Sequence, residues 1–195
     1  MRMLRTPLQP STTYVLEKAA ASYDARVHLW LAGFDQQRIV SVEDVVSAIR
    51  DVPPPHLEGL KGVIYDGERV SQELIRHPAG WSFTIKGVFF KEQRCVVLYE
   101  FPDRARFRRI LHHEIGHHVF YHVIDSDRKK RWVTDLHPNS RHVSAIAKRN
   151  ASEDFAECYA TFLEAQEKLV LHPEKLAFLR RDVFRGAANP GMQVS

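Results

Sequence analysis

RILHHEIGHHVFYH, residues 109 to 122, carries five of the chain's eleven histidines. Within it, HEIGH places His113 and His117 four residues apart. Side chains four apart on a helix share a face, so both imidazoles can point at one ion about 2 Å away. Glu114 lies one step round the helix from His113, where its carboxylate reaches a water activated by the ion without ligating the ion itself. Among eleven histidines, an HExxH string arises by chance in on the order of a few per cent of shuffled sequences. The motif therefore gains force from its setting, a helix apolar at Ile110, Leu111 and Val119 that directly follows a predicted hairpin. His112, His118 and His122 flank the motif without its spacing and read as surface or supporting residues.

Upstream, WSFTIK (81–86) alternates, with Trp81, Phe83 and Ile85 on one face and Ser82, Thr84 and Lys86 on the other. A polar connection, Lys91 to Gln93, leads into the β-branched run CVVLYE, and the pair predicts a hairpin over residues 81–100. LKGVIYDG (60–67) predicts another strand, ended by Asp66 and Gly67. SVEDVVSAIR (41–50) predicts a helix capped by Ser41, with Asp44 in its first turn and Val45, Val46 and Ile49 inward, stopping before Pro53, Pro54 and Pro55. The alanine-rich stretch Tyr14 to Tyr23 also reads as helix, making residues 1–55 a helical N-terminal portion. Downstream, Pro102 and Asp103 start a helix that should run to about Ile124. A polar linker is expected next, then a second long helix from near Ala151. A final helix over Pro173 to Arg185 has apolar Leu176, Phe178, Leu179, Val183 and Phe184, and residues 186–195 read as a loose tail.

A catalytic zinc takes three protein ligands and leaves one position for water. A third histidine six residues after the second is ruled out, because that position is Val123. The helix NASEDFAECYATFL offers Glu153 and Glu157, four apart on one face, with Ala156 and Ala160 leaving room for close packing. Either carboxylate can complete the site. Asn150 and Glu153 also have the spacing of a reciprocal N-cap, and if Glu153 folds back onto the Asn150 amide, Glu157 inherits the ligand role.

HEIGHH followed by NASEDFAE resembles the small gluzincins, which include the catalytic domain of anthrax lethal factor and the bacterial Pro-Pro endopeptidases. The resemblance covers roughly residues 60 to 185 and is specific in the two helices. It implies an α+β, zincin-like fold, with a small twisted sheet packed on the HExxH helix and a second, glutamate-bearing helix. It also implies a zinc cofactor, with Glu153 as the third ligand and Glu157 as its support. That family carries a tyrosine just before the glutamate helix, whose hydroxyl can hydrogen-bond the oxyanion; here the corresponding place falls near Ile146. His142, Tyr121 and Arg149 are the candidate substitutes. Losing one such donor costs about 3 kcal/mol of transition-state stabilisation in other enzymes.

The expected activity is peptide-bond hydrolysis with Glu114 as general base and a peptide or protein as substrate, an extended chain pairing with the hairpin's edge strand. The alternative is a zinc-stabilised module that grips a peptide without cutting it. The 195 residues, 44% of them apolar, suit one domain over 1–195. The opening residues show no secretory leader, and no apolar run approaches the roughly eighteen residues of a membrane span, so a cytoplasmic protein is expected. Cys95 and Cys158 form no metal-binding pair and read as small buried hydrophobes. The net charge of +4 and the basic runs RARFRR (104–109) and DRKKR (127–131) lack any nucleic-acid-binding motif, so such a partner is not expected.

Overall fold

In the computed structural model, residues 22–67, 75–76, 82–83 and 86–185 are described. Strands β1 (Ser22–Asp24), β2 (Leu29–Ala32), β3 (Gly62–Tyr65), β6 (Gly87–Phe90) and β7 (Cys95–Leu98) form a five-stranded mixed sheet in the order β1-β2-β3-β7-β6. The β2–β3 and β3–β7 pairs are parallel, whereas β1–β2 and β6–β7 are antiparallel. The central strands GVIY and CVVL are apolar almost throughout because both of their faces are covered. Val63, Val96 and Leu98 join the main core, while Ile64, Val97 and Tyr99 form a smaller cluster with Ala32.

Two further strands, β4 (Ile75–Arg76) and β5 (Ser82–Phe83), pair separately in an antiparallel two-stranded sheet. This corrects the expected hairpin. Its second strand is β7, but its first is β6, and Ser82–Phe83 pairs with β4 instead. Lys91 to Arg94 closes the turn, with Arg94 in the left-handed region at φ 53°. A four-residue connection joins β7 only to the strand next to it in sequence, and the other edge of β7 is already taken by β3. As expected, the hairpin stands at the edge of the sheet, with β6 outermost.

Among the described residues, the helical reading of the first 55 holds only for its last part. Helix α1 (Val42–Arg50) has Ser41 as its cap, accepting from the Asp44 N–H at 3.1 Å while Asp44 accepts from the Ser41 N–H at 2.7 Å. Val45, Val46 and Ile49 are buried as predicted. Ser22 and Tyr23, however, belong to β1, and the rest of the expected first helix lies outside the described residues. Helix propensity is a weak preference that strand pairing overrides. The signal for β2 was present in LWLA, where Leu29 and Leu31 are buried and Trp30 between them is 43% exposed.

Helix α2 (Arg104–His118) starts at Asp103, which accepts from the Arg106 N–H at 2.7 Å, and continues through a π turn over Val119–Val123. The first half of residues 125–150, expected to be a polar linker, is helical: α3 (Ser126–Arg131), a π turn Trp132–Leu136 and a short turn His137–Asn139. Charged residues surround two apolar anchors, Trp132 and Leu136, and those two are buried. Helix α4 (Ala151–Glu164) crosses α2, and α5 (Pro173–Phe178) ends in a π turn over Leu179–Val183 that completes the core. Both cysteines are free and buried. Several basic residues of these runs are paired within the fold: Arg104, Arg108 and Arg109 pair with Asp44, Asp51 and Glu157, and Arg131 pairs with Asp182. Among the described residues, no helix is long and apolar enough to cross a membrane.

Close approach of α2 to its neighbours depends on two glycines. A Cβ on Gly116 would lie 2.9 Å from the Ala156 Cα, so its absence sets the spacing of α2 and α4. A Cβ on Gly87 would lie 2.9 Å from Ile110 Cγ2 and 3.2 Å from Glu114 Cγ, so β6 can lie against the HEIGH face of α2.

Candidate metal centre

With α2 and α4 this close, the HEIGH face meets the acidic face of α4. Glu153 Oε2 stands 3.3 Å from His113 Nε2 and 3.7 Å from His117 Nε2. The three ligand atoms all fall within 4.8 Å of one another. With metal–ligand bonds of about 2.0–2.2 Å, neighbouring atoms of a tetrahedral site are separated by about 3.3–3.6 Å. Two imidazole nitrogens and one carboxylate at this spacing fit a zinc ion.

The cap alternative for Glu153 is resolved by geometry. The Asn150 side chain accepts from the Ser152 and Glu153 N–H groups, both at 3.0 Å, but the Glu153 carboxylate turns to the histidines. Glu157 takes a different place. Its Oε1 is 2.9 Å from His113 Nδ1, and its Oε2 accepts from Arg109 at 3.1 Å. Arg109 also donates to Thr161 Oγ1 at 2.8 Å. A carboxylate on Nδ1 fixes the ring and its tautomer, leaving Nε2 to face Glu153 and His117. Arg109 was not singled out from the sequence. Its signal was its place one helical turn before His113, facing an acidic helix.

The electrostatics follow from this crowding. Burial disfavours a charged His113, but Glu153, Glu157 and Glu114 outweigh it and lift its pKa to about 10. Burial opposes ionisation of Glu153 as well, yet His113 and His117 hold it well below the usual carboxylate range. Glu157, likewise opposed by burial, is drawn down to about 2 by His113 and Arg109. Glu114 moves the other way. It is 6% exposed, and burial raises its pKa despite both histidines and a backbone hydrogen bond from Phe89. Neighbouring carboxylates are thus pushed apart, one set held as anions and one prone to take a proton.

A cleft of about 840 Å³ opens over this cluster, lined by β6, α2 and the start of α4. His113, Glu114, His117, Glu153 and Glu157 all line it. Of the three candidate oxyanion donors, Tyr121 and Arg149 line the cleft and His142 does not. Ile146 lines it too. Tyr121 stacks on the His117 ring at 6.4 Å, with Lys91 Nζ 4.8 Å from the centre of its own ring.

Of the two readings of the flanking histidines, the surface one fails for His112 and His118, which are fully buried, and each fastens α2 to a neighbouring segment. His112 Nε2 donates to the Ala48 carbonyl at 2.8 Å, and His118 Nε2 donates to the Glu58 carbonyl at 3.1 Å. His122, further out, donates to the Lys91 carbonyl at 3.1 Å. Imidazole suits such places because it fills apolar space while offering one donor to an otherwise orphaned carbonyl. No family model matches this chain, and no curated protein matches it.

Proposed function

We propose that the chain is a zincin-like, zinc-dependent peptidase of the gluzincin type. The observation that carries this reading is the convergence of His113 Nε2, His117 Nε2 and Glu153 Oε2 at the floor of a cleft that Glu114 also lines. A zinc ion held there would supply Lewis acidity, activating a water and polarising a peptide carbonyl. Glu114 is the residue placed to accept a proton from the attacking water and return it to the leaving amine, because burial favours its neutral form. Glu157, braced by Arg109, holds His113 in orientation. Strand β6, outermost in the sheet and lining the cleft through Gly87, Val88 and Phe89, offers an edge to an extended peptide. Of the candidate oxyanion donors named from the sequence, Tyr121 and Arg149 line the cleft.

The test is a digest of a diverse peptide library by the zinc-loaded protein, run beside Glu114→Gln. The wild type should cut. Glu114→Gln should keep its fold and zinc while losing about 10²- to 10⁴-fold in rate. Cleavage undiminished by the substitution would refute the mechanism. A wild type that holds zinc and cuts nothing would make the chain a peptide-binding module.

A further inference from the structure

Outside the cleft, beside the first turn of α4, a second group of metal-ligating side chains converges. His137 Nδ1 lies 3.2 Å from Asp154 Oδ2 and 3.3 Å from His142 Nε2, and the three atoms fall within 4.8 Å of one another. These separations match the edges of a tetrahedral zinc site, about 3.3–3.6 Å, as well as those at HEIGH do. Asp154 is fully buried, and both histidines are half-buried.

His137 Nδ1 faces two partners at once. If His137 carries its proton on Nδ1, it serves Asp154, and the His142 nitrogen faces a proton already used. If Nδ1 is bare, His142 can donate to it, but the His137 lone pair then faces a carboxylate oxygen at 3.2 Å. The first arrangement shares one proton between two acceptors, and the second sets a lone pair against a carboxylate. A cation among the three atoms serves them all.

The surroundings also hold the three ligands in register. Lys175 Nζ donates to Asp154 Oδ1 at 2.8 Å and lies 2.7 Å from Oδ2, holding the carboxylate in place. Lys175 and His172 both bond the Arg141 carbonyl at 3.0 Å, which fixes the residue next to His142. The connection bearing His137 and His142 continues into Ile146 and Arg149 in the cleft wall.

We propose that His137, His142 and Asp154 form a second divalent-metal site, suited to zinc, that fastens this connection to α4. The ammonium of Lys175 offsets the charge of Asp154, so this site binds more weakly than a site with an unopposed carboxylate. Zinc titration of the full chain, with metal content measured per chain, tests the assignment in wild type, His142→Ala, His137→Ala and His113→Ala/His117→Ala. The wild type should take two equivalents, the weaker one lost in His142→Ala and in His137→Ala. His113→Ala/His117→Ala should retain one equivalent, and thermal melts in the presence and absence of zinc should show that one still stabilises the fold. Failure of that variant to bind zinc up to roughly 100 μM, with its fold intact by circular dichroism, would overturn the proposal. So would two equivalents that survive both His142→Ala and His137→Ala. A single equivalent lost only in those two variants would uphold this site and refute the one at HEIGH.

Discussion

Gly116→Ala probes the contact on which the whole site depends. The added methyl would meet the Ala156 Cα at 2.9 Å, Tyr159 Cβ at 3.2 Å and Ala156 Cβ at 3.3 Å. Carbon atoms pack best at about 3.5–4.0 Å, so α2 and α4 must part by roughly 0.6 Å or more. The closest neighbour is backbone, and no rotamer change can relieve it. Overpacking of this kind costs about 1–3 kcal/mol. Replacing glycine by alanine inside a helix returns about 1 kcal/mol through propensity. The net expectation is a loss of about 1 kcal/mol, which lowers the melting temperature by about 2–4 °C in a chain of this size. Gly116→Val, with two more methyl groups at the crossing, should lose more. Because His113 and His117 ride on α2 and Glu153 on α4, the same displacement exceeds the roughly 0.5 Å that a preorganised site tolerates. Zinc affinity at HEIGH should fall with stability. Urea denaturation of the metal-free proteins and chelator competition for zinc measure the two effects. A Gly116→Ala protein more stable than the wild type by about the full 1 kcal/mol of helix propensity would show that the helices are not in the contact described.

The two glutamates of α4 should behave differently. Glu153→Ala removes an atom that faces both Nε2 nitrogens and should weaken zinc binding strongly, whereas Glu157→Ala should weaken it only about 10- to 100-fold. Chelator competition gives the order, and its reversal would make Glu157 the ligand. His56 supplies a pH signature of the fold. It is buried, its Nε2 donates to the Val183 carbonyl at 3.0 Å, and its Nδ1 lies 2.8 Å from the Tyr159 hydroxyl. Burial lowers its pKa from the ordinary value near 6.5, against the partial opposition of the Val183 bond. The unfolded chain therefore takes up the proton first as pH falls. The stability from neutral His56 should be complete above about pH 6.5 and decline as the pH drops towards the folded value, with a slope of up to about 1.4 kcal/mol per unit. Urea midpoints of wild type and His56→Gln between neutral and mildly acid pH check this, and a difference independent of pH would contradict it.

Local signals determined much of this protein from its sequence. The Ser41–Asp44 cap, the Asp103 start of α2, the HEIGH spacing and the apolar run of β3 act within a few residues, where capping bonds and side-chain periodicity operate. The alternation of residues 81–86 gave a strand at Ser82–Phe83 but the wrong partner, because pairing depends on which edge is free and not on the strand's own pattern. Trp132 and Leu136 were obscured by the charges around them, since two anchors at helical spacing are a weak signal in a basic run. Sequence spacing placed Glu153 and Glu157 on one face without separating their roles. The crossing of α2 and α4 at Gly116 and Ala156 brings Glu153 to the two Nε2 nitrogens and Glu157 to the Nδ1 of His113. The same packing put His142 beside His137 and Asp154, outside the cleft. These are distances between segments far apart in the chain, set by how closely two helices approach, and no local pattern encodes that approach.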